Sequence, residues 1–177
     1  MFTGIITNIG IVEGLDFSEE KDLLVKISTT KTPERKLEIG CSISCNGVCL
    51  TLLTKEVLGD KNLLSFQVSK ETLEKTNFKN LKIGESLNLE FAMRLGDELG
   101  GHMVSGHIDG CAIIEGITQI KDSYKFTFSA DDELLRFISK KGSVTLNGTS
   151  LTVNETNANC FDINLISHTI DNTAFKY

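Results

Sequence analysis

The segment Asn46-Gly47-Val48-Cys49-Leu50-Thr51 recurs as Asn147-Gly148-Thr149-Ser150-Leu151-Thr152, with a thiol in the first copy where the second has a hydroxyl. On a strand leaving an Asn-Gly turn, Cys49 and Thr51 point to one face and Leu50 to the other, so a thiol and a hydroxyl share a surface that can line the mouth of a barrel. Free cysteine is also a common and inert core residue. A serine has no such packing reason, because a buried hydroxyl must find a partner. Two polar groups at equivalent places therefore favour a site. His107 adds acid–base capacity. It replaces Ile5 in a second repeated motif, and an imidazole titrates near neutrality, which makes it a candidate proton carrier. His102 lies five residues earlier, on the opposite face of a strand, and at the junction of the two copies it is expected to be structural. His168 carries no expected catalytic role.

Other chemistries fail on pattern. Cys41, Cys45 and Cys49 have a regular spacing, yet along a strand a four-residue step covers about 13 Å, too far for neighbours to share a metal ion. The glycines near residue 100 lack both the lysine–serine ending of a phosphate loop and the strand-to-helix setting of a dinucleotide fingerprint. No Ser-His-Asp order or paired-carboxylate motif stands out. A net charge of -6 over 177 residues, with no dense Lys/Arg cluster, removes the footprint that nucleic-acid binding requires. No apolar run approaches the roughly 20 residues of a spanning helix, and Met1-Phe2-Thr3-Gly4-Ile5 lacks the basic and apolar regions of a signal peptide. The 5 cysteines, an odd number without a disulfide framework, fit the reducing cytoplasm.

The elements that position these residues come from a duplication. Met103-Val104-Ser105-Gly106-His107-Ile108 aligns with Met1-Phe2-Thr3-Gly4-Ile5-Ile6, and Ile113-Ile114-Glu115-Gly116 with Ile11-Val12-Glu13-Gly14. Ser143 then matches Ser42, and further on Phe161, Leu165, Thr169 and Thr173 match Leu64, Val68, Thr72 and Thr76. One order kept across separate segments implies two homologous domains, 1–101 and 102–177, joined near Gly100-Gly101-His102. Strands are expected from Phe2 to Val12, Leu23 to Ser28, Ser42 to Cys45, Cys49 to Thr54, Leu64 to Val68 and Ser86 to Phe91, rich in β-branched and aromatic residues between turn formers. The Asn-Gly pairs supply the positive φ angles of tight hairpins. About six strands per half can close a small barrel. Helix is confined to Lys70–Lys75 and a longer piece over Asp131–Lys140, acidic at its start and basic at its end as the helix dipole prefers. The second half reaches Tyr177 just after the match to Thr76. On the repeat's own logic its last strand is missing and would come from a longer chain or from a partner.

Taken together, Met-Phe-Thr-Gly-Ile at the start, Asn-Gly-x-Cys-Leu-Thr at 46–51, Lys70-Glu71-Thr72-Leu73, the run Gly96 to His107, and Asn147-Gly148-Thr149-Ser150-Leu151-Thr152 resemble the riboflavin synthase family of the alpha-chain type, over essentially the whole chain. The resemblance implies an all-β fold of two homologous six-stranded Greek-key β-barrels in tandem with short helices, each barrel binding one 6,7-dimethyl-8-ribityllumazine. It implies transfer of a four-carbon unit between the two lumazines, giving riboflavin and 5-amino-6-ribitylaminouracil, without metal or redox cofactor. It further implies a homotrimer, which in the family is held in part by a C-terminal helix missing from this sequence, and association with lumazine synthase.

By that resemblance, Cys49, His107, Ser42, Thr152 and Ser150 are the catalytic candidates: Cys49 or a water as transient nucleophile, His107 as proton carrier, the hydroxyls as hydrogen-bonding partners. Phe2 and Thr3 would belong to the substrate-binding set, Phe2 organising the N-terminal segment near the ring. Gly4, Ile5 and Ile6, with Leu50 and Thr51, would line the first pocket, completed by Gln67, Val68, Ser69, Lys70, Glu71 and Thr72. Gly106, Ile108, Lys141 and Leu151 would line the second, completed by Asn164, Leu165, Ile166, Ser167, His168 and Thr169. Ser167-His168-Thr169 departs from Lys70-Glu71-Thr72 and from the acidic residue that the resemblance leads one to expect. Lumazine-binding antenna proteins share the double barrel without the reaction and are the alternative. A flavin reductase barrel would need a nicotinamide domain for which the chain has no room.

Overall fold

The computed structural model describes residues 1–19, 22–30 and 37–176. The first half is a closed barrel of six antiparallel strands: β1 (Asn8–Phe17), β2 (Leu23–Thr29), β3 (Ser42–Cys45), β4 (Val48–Leu58), β5 (Lys61–Val68) and β6 (Ser86–Phe91), in the order β1-β2-β5-β4-β3-β6. β6 closes it by pairing with both β1 and β3. Alternation along the strands turns Val12, Val25, Ile27, Leu52, Leu64, Phe66 and Leu87 into a core that water does not reach.

The second half repeats the plan with β7 (Ile113–Ile120), β8 (Ser123–Ser129), β9 (Ser143–Leu146), β10 (Thr149–Thr156) and β11 (Cys160–Ile166). Their order, β7-β8-β11-β10-β9, is that of the first five strands of the barrel, and the described residues hold no counterpart of β6. A separate core forms around Phe126, Phe128, Val153, Phe161 and Ile163.

Even the irregularities are duplicated. β1 bulges between Val12 and Gly14 and β7 between Ile114 and Gly116, and the extra residue in each is a glutamate that accepts a hydrogen bond from a serine of the next strand, Ser28 to Glu13 and Ser129 to Glu115. After β5, the helix α1 (Lys70–Lys75) is capped by Ser69, whose hydroxyl accepts from Thr72 N–H at 3.2 Å. Thr76 then donates to the Thr72 carbonyl and accepts from Phe78 N–H, and Thr173 repeats both bonds with Thr169 and Phe175 after a short helix over Ser167–Asp171.

Two expected elements are shorter than the sequence pattern suggests. The run from Phe2 is not one strand: Gly4, at φ 77°, breaks it, and Phe2 pairs only with Val104 before β1 begins at Asn8. The helix expected over Asp131–Lys140 is a single turn, α2 (Asp132–Leu135), because Phe137 and Ile138 tighten to i−3 bonds and the chain turns back at Gly142.

Candidate functional site

The two Asn-Gly turns adopt the left-handed angles of a type I′ hairpin, Asn46 and Gly47 at φ 47° and 89°, Asn147 and Gly148 at φ 46° and 80°. They meet tip to tip: a Cβ on Gly47 would stand 2.9 Å from Gly148 N, and one on Gly148 2.8 Å from Gly47 N. Only glycine allows that approach.

Around this contact each half reaches into the other. Ser150 N–H donates to the Gly4 carbonyl at 2.7 Å, and Cys49 N–H donates to the Gly106 carbonyl at 2.9 Å. Phe2 and Val104 exchange both main-chain bonds between these straps, at 2.8 and 3.0 Å. Gly4 and Gly106, at φ 77° and 82°, leave no room for a side chain, since an added Cβ would lie 2.6 Å from Ser150 Cβ and 2.6 Å from Cys49 Cβ respectively. The N-terminal strap of each half thus lies on the hairpin of the other, Gly4 against Ser150 and Gly106 against Cys49, whereas grouping by repeat puts Gly4, Ile5 and Ile6 with Cys49 and Gly106, His107 and Ile108 with Ser150. Similarity of sequence located the straps but could not say which partner they cross to.

A cleft of about 330 Å³ opens on the Cys49 side. Cys49, Leu50 and Thr51 on β4 line it together with Leu53, Gln67, Ser69 and Thr72. Asp22 is a lining residue that the sequence reading missed. Its carboxylate accepts from Gln67 Nε2 at 2.7 Å and from Lys70 N–H at 3.0 Å, so it fixes the end of β5 against α1. The dipeptide Lys21-Asp22 recurs as Lys121-Asp122, a signal that could have found it. Ser42 pairs in register with Thr51, and the buried Ser44 with Cys49. Burial raises the Cys45 thiol well above its ordinary range inside the core, and partial burial raises that of Cys41, which is half-buried as Cys49 is.

The Ser150 side is built differently. His102 Nδ1 lies 2.7 Å from Ser150 Oγ, and His102 Nε2 lies 2.9 Å from Thr145 Oγ1, so one ring nitrogen accepts while the other donates. Burial lowers the His102 pKa and keeps the imidazole neutral near pH 7. The residue expected to be structural at the junction is thus hydrogen-bonded directly to a catalytic candidate. His107 is exposed next to Gly106, its N–H capped by Ser105 Oγ at 3.2 Å.

The remaining candidates divide by burial. Val68, Leu151 and Leu165 point into the cores, so they can reach a ligand only through main-chain groups. Lys70, Glu71, Lys141, Thr152, Asn164, Ile166, Ser167 and His168 are exposed around the two rims, and Ile108 packs on the first barrel's core. No group of three or more His, Cys, Asp or Glu among the described residues is arranged to hold a metal.

The lumazine binding domain family matches residues 3–92 and 105–177. Riboflavin synthase of Brucella abortus (strain 2308) is 45% identical over 177 residues, covering 99% of this chain and 86% of that protein. Riboflavin synthase of Actinobacillus pleuropneumoniae is 38% identical over 173 residues, 98% of this chain and 78% of that protein. Among solved structures, LumP complexed with 6,7-dimethyl-8-(1'-D-ribityl) lumazine superposes with a TM-score of 0.83 at 23% identity, covering 99% of this chain and 92% of that one; this likeness speaks for the fold.

Proposed function

The chain belongs to the riboflavin synthase family, and from that premise we propose that it converts two molecules of 6,7-dimethyl-8-ribityllumazine into riboflavin and 5-amino-6-ribitylaminouracil, the last step of riboflavin biosynthesis. One observation carries the reading: a duplicated hairpin presents Cys49 on one side and Ser150 on the other, each backed by the glycine strap of the opposite half. The same heterocycle is offered two environments of one shape and different chemistry.

The reaction suits such a site. The four-carbon unit moves whole from one ring to the other, so no external oxidant or reductant enters the balance. The C7 methyl of the lumazine is acidic enough to lose a proton, and holding two rings in register supplies much of the acceleration. Cys49, or a water it orients, adds transiently to the ring in the open cleft, with Thr51 and Ser42 alongside. Ser150, polarised by the neutral His102, donates to or accepts from the second ring, with Thr152 at its rim. His107 carries protons at the exposed edge of the first cleft. Trimeric assembly, association with lumazine synthase and cytoplasmic residence follow the family and complete the proposal.

Purified protein incubated with the lumazine alone should form riboflavin, followed by its absorbance, with the uracil product in equal amount. The likeness to LumP favours a second reading, a protein that binds the chromophore without turnover. Tight binding with no product would establish it.

A further inference from the structure

Glu90 lies on β6, 4% exposed, at the outer face of the first barrel. Its carboxyl group has both oxygens occupied as acceptors: Oε1 receives the Thr3 N–H at 2.6 Å and the Thr3 hydroxyl at 2.7 Å, and Oε2 receives the Gly4 N–H at 2.9 Å. The Gly4 N–H and the Thr3 carbonyl belong to one planar peptide group and point in opposite directions. Fixing the first therefore fixes the second, and the Thr3 carbonyl accepts the His102 N–H at 3.0 Å. The next carbonyl, that of Gly4, accepts the Ser150 N–H at 2.7 Å. Both residues of the His102–Ser150 pair thus hang by their main chains from the two residues that Glu90 grips.

Such a grip is more than generic packing. A buried carboxyl group is costly unless its acceptors are filled, and here donors from one short strap fill them. Gly101 leaves the strap room as well, since a Cβ there would strike the Thr3 carbonyl and Ser150.

We propose that Glu90, a residue of the first barrel, positions the Ser150–His102 pair of the second pocket through the Thr3–Gly4 peptide. This rests on the function proposed above, in that Ser150 and His102 are taken to meet the second lumazine. Glu90 itself touches no reacting atom. It holds the geometry in which one imidazole nitrogen faces Ser150 and the other Thr145.

The test compares the full-length wild type with Glu90→Gln, Thr3→Ala and Leu87→Val. Glu90→Gln keeps the shape but turns an amide NH₂ toward a main-chain N–H, and Thr3→Ala keeps the Thr3 N–H on Glu90 while removing the hydroxyl that donates to Glu90 and accepts from Ile5 N–H at 3.3 Å. Leu87→Val thins the same barrel's core without touching the strap. Steady-state kinetics, nitrogen-edited NMR of the His102 ring and thermal unfolding are read on all four. We expect Glu90→Gln to lose roughly tenfold or more in kcat, with KM within about twofold, and Thr3→Ala to move the same way by less. The His102 ring, one tautomer in the wild type, should become an average of both in Glu90→Gln. Leu87→Val should lower the unfolding midpoint and leave kcat and the ring signal alone. Wild-type kcat and ring signal in folded Glu90→Gln would overturn the proposal, as would an equal kcat loss in Leu87→Val. If Glu90→Gln does not fold, Thr3→Ala decides on the same two readouts. A wild type that forms no riboflavin would sink the functional reading alone, since the ring signal still reports what Glu90 does.

Discussion

The β3–β4 and β9–β10 hairpins have one backbone and two chemistries. Each starts from a serine paired with a threonine, Ser42 with Thr51 and Ser143 with Thr152, turns through Asn-Gly, and receives the carbonyl of a left-handed glycine from the other half. They part at the central pair. In the first, Cys49 faces an open cleft beside the buried Ser44, whereas in the second Ser150 and Thr145 are bracketed by the imidazole of His102. The difference teaches how a duplicated fold treats two copies of one ligand unequally. Side chains change at a fixed register, and a segment from the junction, which the repeat does not duplicate, adds a base to one copy only.

Exchanging the distinctive group should break that comparison most severely. Cys49→Ser makes the first hairpin resemble the second, and turnover should fall roughly a hundredfold while lumazine affinity changes little. Stopped-flow kinetics beside a fluorescence titration measures both, and matched losses would argue against a chemical role for the thiol.

His102 sharpens the comparison through pH. Its folded pKa lies below the unfolded value, so between the two the unfolded state holds more protons and stability rises with pH. The contribution is fully present above the ordinary histidine value near 6.5 and is lost as pH falls through the lowered folded value. The kcat profile should therefore stay level to below pH 6.5 before dropping. His102→Gln should remove that acid limb and cost about tenfold in kcat.

The straps come next. Gly4→Ala and Gly106→Ala each force a left-handed alanine and a Cβ contact with the backbone or Cβ of the facing hairpin, together worth about 2 kcal/mol. Denaturant unfolding should detect both, and activity should fall in each, because either strap serves the opposite half. The turns give the smallest effect. Asn46 Oδ1 accepts Asn88 N–H at 2.8 Å, whereas the Asn147 side chain is exposed, so Asn46→Ala should cost about 1 kcal/mol more than Asn147→Ala.

Much of this was legible before any coordinates. The period-2 alternation and the Asn-Gly turns placed Ser42–Cys45 and Ser86–Phe91 to the residue, because strand and turn chemistry are local. The repeat singled out Cys49 and Ser150. What stayed hidden depends on contacts between distant segments. The crossing of the straps, the approach of His102 to Ser150 and the grip of Glu90 on Thr3 join residues 48 to 146 positions apart, and no periodicity records them. His107 drew attention by replacing an aliphatic residue in the repeat, while the more tightly bonded His102, lying outside the repeated motif, did not.

In the proposed arrangement each lumazine lies on one hairpin against the other half's strap, and a crystal structure with the lumazine bound tests that most directly. We expect a ring beside Cys49 and Thr51 against the Gly106–Ile108 strap, and a second beside Ser150 and Thr152 against Gly4–Ile6. A ring that touches Cys49 together with Gly4–Ile6, or a Ser150 side that stays closed to the ligand, would contradict it.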